Sequence, residues 1–306
     1  MSVITPTETE VRPFHIDVPE AELVGLRRRT AATRWPDPET VADQSQGVQM
    51  ATLQDLVHHW GTDYDWWIAE ARLNALPQFL TRIDGLDIHF LHVRSPPGAM
   101  PLLMTHGWPG SILELLKVIG PLTDPTAHGG RAEDACHVVV PSIPGYGFSG
   151  KPQDTSWRPI HLATAWQQLM GIHVNMPGAT PPDVALLVKS HQLAPDGFSE
   201  AEQRAWAGLD EFYRHGFGYA EMMNSRPQTM GCSLADSPVG MAAFYYEKFA
   251  TWTHSGGEPE PVLTPDDITL YWLTTTGASS SRSSGTPRRR VAGRSTPWTS
   301  RRSPLP

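Results

Sequence analysis

The spacing of apolar side chains changes twice along this chain. Over residues 12–82 they recur at helical intervals, with Leu53, Leu56, Val57 and Trp60 marking one face that has to pack on something else. "DVPEAELVGLRRRT" predicts a helix with Asp17 as N-cap, Pro19 in the first turn and Glu20 at capping-box spacing. "DYDWWIAEARLNALPQF" continues the helical pattern up to Pro77. From Thr81 the period falls to two. "TRIDGLDIHFLHVRS" alternates apolar and polar positions around an Asp-Gly pair and predicts a β-hairpin.

Two similar units follow. "PLLMTHGWPGS" is a short apolar strand running into a Gly/Pro-rich loop, with the helical "ILELLKVIGPL" behind it. "CHVVVPSIPGYGFSGKP" is again a buried strand and a tight glycine-proline turn. "RPIHLATAWQQLM" predicts the next helix and "GIHVNMP" the next strand. Strands alternating with helices define an α/β chain with a mostly parallel sheet covered on its faces. Residues 178–270 return to helical spacing. Ser199 and Glu202 form a capping box, "SPVGMAAFYYEKFATW" is a strongly aromatic helix, and Pro265 takes the first helical position of "TPDDITLYWL". A helical insertion of this size predicts a lid.

Composition changes the picture at the end of the chain. From Gly277 to Pro306 there are seven Arg, no acidic residue and no hydrophobic period, so the segment is expected to be disordered. The other 276 residues carry 17 basic and 32 acidic side chains, a net −15 that disfavours nucleic acid. Cys136 and Cys232 show no paired pattern, and no apolar run of membrane-spanning length is present. These features predict a cytoplasmic protein without a membrane partner. The oligomeric state is not legible.

Candidate chemistry begins with "HGWPGS", residues 106–111. A loop directly after a strand can aim backbone N–H groups into the crevice at the strand's carboxyl end, where open α/β sheets bind ligands. "PGYGFSGKP" follows the next strand in the order of an α/β-hydrolase. In that order a nucleophile elbow should come next, a strained G-x-nucleophile-x-G turn between strand and helix. No such element lies between Met170 and Gly171. The one loose match, "GCSLA", centres on Ser233, between segments that do not read as strands, and leaves a serine hydrolase as an alternative. No HExxH or Cys/His cluster accompanies His58 and His59, so no metal is expected.

The residues quoted so far, with "RPFHIDVPEAEL", "LRRRTAATRWPD", "VPSIPGYGFSGKP", "SLADSPVGMAAFYYEKFATWT" and "DDITLYWLTTTGASSSR", resemble the microsomal-type epoxide hydrolases in family order over roughly residues 11–282. The resemblance implies an α/β-hydrolase sheet, here incomplete, with a helical N-terminal region over residues 1–82. A core over 83–177, a helical lid over 178–276 and a tail over 277–306 would complete the chain. It implies conversion of an epoxide and water to a vicinal diol without a cofactor, with a small apolar or aromatic epoxide as partner. An Asp attacks an epoxide carbon to give an ester, lid tyrosines donate to the opening oxygen, and a His oriented by an acid activates the hydrolytic water.

Carried over residue by residue, the site is incomplete. His106, Gly107, Trp108 and Pro109 match the oxyanion loop, and Tyr219 in "HGFGYAEM" matches one lid tyrosine. The nucleophile Asp belongs in an elbow between "AWQQLM" and "GIHVNMP", where this chain has no residues. The second tyrosine belongs shortly after "TGASSSR", where the sequence reads "SSGTPRRRV", and the acid and His have no counterpart in the Arg/Ser tail. The pattern is that of an in-frame internal deletion and a shifted reading frame. It leaves two expectations, an inactive epoxide hydrolase or a non-catalytic protein that binds epoxide-like ligands.

Overall fold

A computed structural model describes residues 10–154, 157, 161, 172–174, 181–255 and 263–277 of the chain. The expected helix at "RPIHLATAWQQLM", except for His161, the Met170–Gly171 junction and the basic tail beyond Gly277 lie outside the described residues.

Among the described residues, six strands form one mixed sheet in the order β1-β2-β3-β5-β4-β6. The strands are β1 (Val11–Pro13), β2 (Gln78–Ile83), β3 (Leu86–Val93), β4 (Met100–Thr105), β5 (Cys136–Pro141) and β6 (Ile172–Val174). The β2–β3 hairpin turns at Asp84 and Gly85, whose φ angles of 46° and 82° are those a two-residue type I′ turn demands. β3 pairs antiparallel with β5, while β5, β4 and β6 run parallel. Val138, Val140, Leu91 and Leu103 are at most 1% exposed, as strands covered on both faces require.

The helices are α1 (Glu20–Ala31), α2 (Met50–Thr62), α3 (Trp66–Asn74), α4 (Leu116–Thr123), α5 (Pro182–Lys189), α6 (Glu200–Glu211), α7 (Gly218–Ser225), α8 (Pro227–Asp236), α9 (Pro238–Trp252) and α10 (Pro265–Leu273). Two expectations at the N-terminus are corrected. β1 stands where a helical region was read, because three exposed residues in that segment add to the edge of β2 through backbone pairing, and Arg12 reaches over it to donate to Asp87 of β3 at 3.2 Å. α1 starts at Glu20 with Pro19 as its cap residue, and Asp17 does not cap it. The segment before α1 is instead tied to α3, where Ile16 N–H donates to Asn74 Oδ1 at 2.9 Å and Val18 N–H to Glu70 Oε2 at 3.1 Å.

Two apolar clusters organise the packing. One lies under the sheet and joins Leu91, Met104 and Val138 to Ile112, Leu73 and Leu270. The other joins the N-terminal helices to the lid, with Leu53, Val57 and Trp60 of α2 against Tyr245, Tyr246 and Ile268. The helical face read from the sequence therefore packs on α9 and α10. Polar contacts fix the arrangement. Trp60 Nε1–H donates to Thr269 Oγ1 at 2.7 Å, and Asp266 accepts from Tyr64 Oη at 2.8 Å and from Arg72 at 2.6 Å. The first of these satisfies the N–H of the buried Trp60 indole.

Candidate functional site

The chain leaves β4 toward β5 on one side and returns to β6 on the other. That reversal of direction opens a crevice at the carboxyl ends of β4 and β6, the place where open α/β sheets bind ligands. The loop at residues 106–111 leaves β4 at this crevice. Its base is His106, 2% exposed, whose Nε2 accepts from Ile143 N–H at 3.2 Å. The proton must then sit on Nδ1, which lies 3.0 Å from the Gly107 carbonyl and donates to it. Burial pushes this imidazole down to about 4, so at neutral pH it is an uncharged strut that ties the loop to β5.

The next turn is fixed by a capping box. Ser111 N–H donates to Glu114 Oε1 at 2.8 Å, and Ser111 Oγ accepts from Leu113 N–H at 3.1 Å. A side chain at Gly110 would meet the Glu114 carboxylate and, at 2.9 Å, the Gly107 carbonyl, so this position needs glycine. The Trp108–Pro109 peptide is cis. Among the described residues the backbone N–H groups of Gly107 and Trp108 donate no hydrogen bond. Both belong to the loop His106, Gly107, Trp108 and Pro109, which the family resemblance implies as the oxyanion loop.

The lid meets this loop through aromatic rings. Trp108 stacks on Tyr219 with centroids 5.1 Å apart and planes at 7°. Phe244 and Trp252 of α9 stand edge-on to the indole at 5.9 and 6.1 Å. Tyr219 is the second residue of α7, directly after a π-helical turn over Phe212–Gly216. Its hydroxyl makes no hydrogen bond among the described residues. Burial first, then the negative charge of Glu247, raise its pKa, so it stays protonated and able to donate.

A cavity of about 700 Å³ opens between loop and lid. Gly107, Trp108 and Pro109 line one side, and Lys248, Trp252 and Asp267 line part of the other. Tyr219 is not among the residues that line it; its ring stacks on Trp108, which does line it. Asp267 is 4% exposed, and burial raises it to about 6. Its Oδ2 accepts from Thr264 N–H at 2.9 Å and from Thr264 Oγ1 at 2.7 Å, a capping box that accounts for the group as a helix start. Lys248, in the helix that the sequence shows as strongly aromatic, has a side chain only 7% exposed and pairs with Glu247. Periodicity gave no signal for that burial.

Ser233 lies inside α8 on its exposed side, where its carbonyl accepts from Ser237 N–H at 3.1 Å. This is helical backbone, not the strand-to-helix turn that exposes a nucleophile, and no described hydrogen bond joins its hydroxyl to a His or carboxylate. Among the described residues no helix is long and apolar enough to cross a membrane.

Comparison with known proteins places these features. Residues 11–115 match the family model "Epoxide hydrolase N terminus". A "Putative epoxide hydrolase" of Stigmatella aurantiaca is 48% identical, over 89% of this chain and 68% of its own length. "Epoxide hydrolase 1" of Oryctolagus cuniculus is 32% identical, over 90% and 72%. The first alignment runs over 309 positions while taking in about 272 of this chain's residues, so about 37 of its positions face no residue here. Among solved structures, juvenile hormone epoxide hydrolase from Bombyx mori superposes with a TM-score of 0.76 at 26% identity, covering 90% of this chain and 77% of the other. Epoxide hydrolase from Aspergillus niger gives 0.74 at 27% identity, covering 90% and 78%. The chain belongs to the epoxide hydrolase family and has the α/β-hydrolase fold of that family.

Proposed function

We propose that this chain keeps the epoxide-holding part of the family's site and does not turn epoxides over. The observation that carries the reading is the pairing of β6. Ile172, His173 and Val174 stand directly against Leu103, Met104 and Thr105 of β4. The family resemblance puts a nucleophile strand and its elbow between "AWQQLM" and "GIHVNMP", and here the later strand takes the place next to the loop-bearing one. The 37 or so unmatched positions in the alignment with the Stigmatella relative support a loss of that size inside the chain.

The residues that remain define what the site does. The free N–H groups of Gly107 and Trp108 and the protonated Tyr219 hydroxyl suit a ligand with an acceptor oxygen on an apolar body. Trp108, Phe249 and Trp252 supply the apolar walls. Without the nucleophile Asp no ester forms, so the two-step route to a diol has no first step. The substrate class is a small apolar or aromatic epoxide. The domain limits expected from the sequence, 1–82, 83–177, 178–276 and 277–306, remain part of this proposal.

The test uses the purified full chain with styrene oxide. Diol is measured by chromatography and ligand binding by the shift in thermal midpoint. The expected result is stabilisation by the epoxide with diol formation no faster than in buffer. Multiple turnovers per protein molecule would overturn the loss of activity, and the absence of any stabilisation would overturn the retained binding site.

A further inference from the structure

The aromatic contacts around Tyr219 include a cation. Lys248 Nζ lies 4.5 Å from the centre of the Tyr219 ring, 5.5 Å from that of Phe244 and 5.9 Å from that of Trp252. Its side chain is 7% exposed, its ammonium pairs with Glu247, and the residue lines the cavity. Burying a lysine is costly unless the charge is compensated. Here a carboxylate and three ring faces compensate it.

Tyr219 receives contacts from three directions. Trp108 stacks parallel on it, Trp252 meets it at 5.3 Å and 58°, and Lys248 faces the ring. Trp108 belongs to the loop after β4, while Trp252 and Lys248 belong to α9. Tyr219 itself sits at the start of a helix of eight residues that follows an irregular turn. A short helix after such a turn does not by itself fix a ring in one plane. The indole stack and the ammonium contact do so together: they restrain the plane of the ring, and with it the position of the hydroxyl at its tip.

From this arrangement we propose that Lys248 is a positioning residue for Tyr219. Its ammonium holds the ring against Trp108 so that the hydroxyl is presented to the oxygen of a bound epoxide. The inference rests on the reading of Tyr219 as the epoxide-oxygen donor. It adds a residue to that reading, and its role ends at holding the ring, since it transfers no proton and forms no bond to the ligand.

The experiment compares two ligands of the same shape, styrene oxide and phenylcyclopropane, which has a methylene in place of the oxygen. The ratio of their affinities isolates the hydrogen bond to oxygen, and a net hydrogen bond is worth roughly a 3- to 10-fold preference. In the unaltered chain styrene oxide should bind tighter by that factor. Tyr219→Phe should lower the preference by the share that its hydroxyl carries beside the Gly107 and Trp108 N–H groups. Lys248→Met should lower the ratio to the same value, whatever it does to the two affinities through the cavity wall, and Lys248→Arg should restore it because a guanidinium also packs on ring faces. Lys248→Gln serves if the Met variant does not fold. A purely structural lysine would weaken both ligands alike, and that result overturns the inference. If Tyr219→Phe lowers the preference while Lys248→Met and Lys248→Gln keep it, the positioning role fails and the donor role of Tyr219 stands. If the unaltered chain shows no preference, or Tyr219→Phe leaves it unchanged, the donor reading fails and takes this inference with it.

Discussion

Two buried histidines make this fold sensitive to mild acid, by an amount that can be worked out. His89 of β3 is fully buried. Gln78 Nε2 donates to Leu73 and Asn74, so its Oε1 is left to accept from His89 Nε2–H at 3.0 Å, and His89 Nδ1 accepts from Ser142 Oγ at 3.0 Å. Burial pushes this ring down to about 3, as it pushes His106 down to about 4. Both values lie below those of the unfolded chain, near 6.5. The unfolded state therefore takes up protons first, and stability present above pH 6.5 is lost as pH falls toward the folded values. At pH 5 each ring costs about 2 kcal/mol relative to pH 8.

Asp267 acts in the opposite direction. Its folded value is raised from 3.8 to about 6, so the native state holds a proton at pH 5 that the unfolded state lacks, which returns about 1.4 kcal/mol. The net loss is about 2.5 kcal/mol, a large part of the margin of about 5–15 kcal/mol that a domain has. Exposed carboxylates such as Asp134 and Glu202 have lowered values and titrate below this window. Urea unfolding at pH 8 and pH 5, with midpoint and slope both fitted, measures the loss. His89→Gln should lower stability at pH 8 but shrink the drop between pH 8 and pH 5 by about 2 kcal/mol, because it removes one proton site. Parallel curves for variant and unaltered chain would refute the assignment.

Two further outcomes follow from packing. Leu103→Ala, at a side chain 1% exposed on the strand between β5 and β6, should cost about 2–5 kcal/mol and lower the urea midpoint without changing its slope. Thr264→Ala removes the hydroxyl that caps α10 and should cost about 1 kcal/mol in a thermal melt. The same change raises the Asp267 pKa further, since Thr264 holds it down.

What the sequence determined by itself is local. Asp84-Gly85 sets the hairpin because that dipeptide tolerates two positive φ angles in succession, and Ser199 with Glu202 sets the start of α6 through its own capping box. The apolar runs of β4 and β5 announce strands covered on both faces. The motif order from "HGWPGS" to "PGYGFSGKP" announces the family. What only the tertiary structure decided depends on neighbours far along the chain. Three residues at β1 carry no alternation of their own and become a strand because β2 offers an open edge. Asp17 looks like a cap in isolation, but α3 takes the segment around it. The place of β6 beside β4, the stack of Trp108 on Tyr219 and the burial of the Lys248 ammonium are likewise invisible to periodicity. Hydrogen bonds between strands and contacts between rings are paid in loop closure across the chain, a cost that spacing along the sequence does not record.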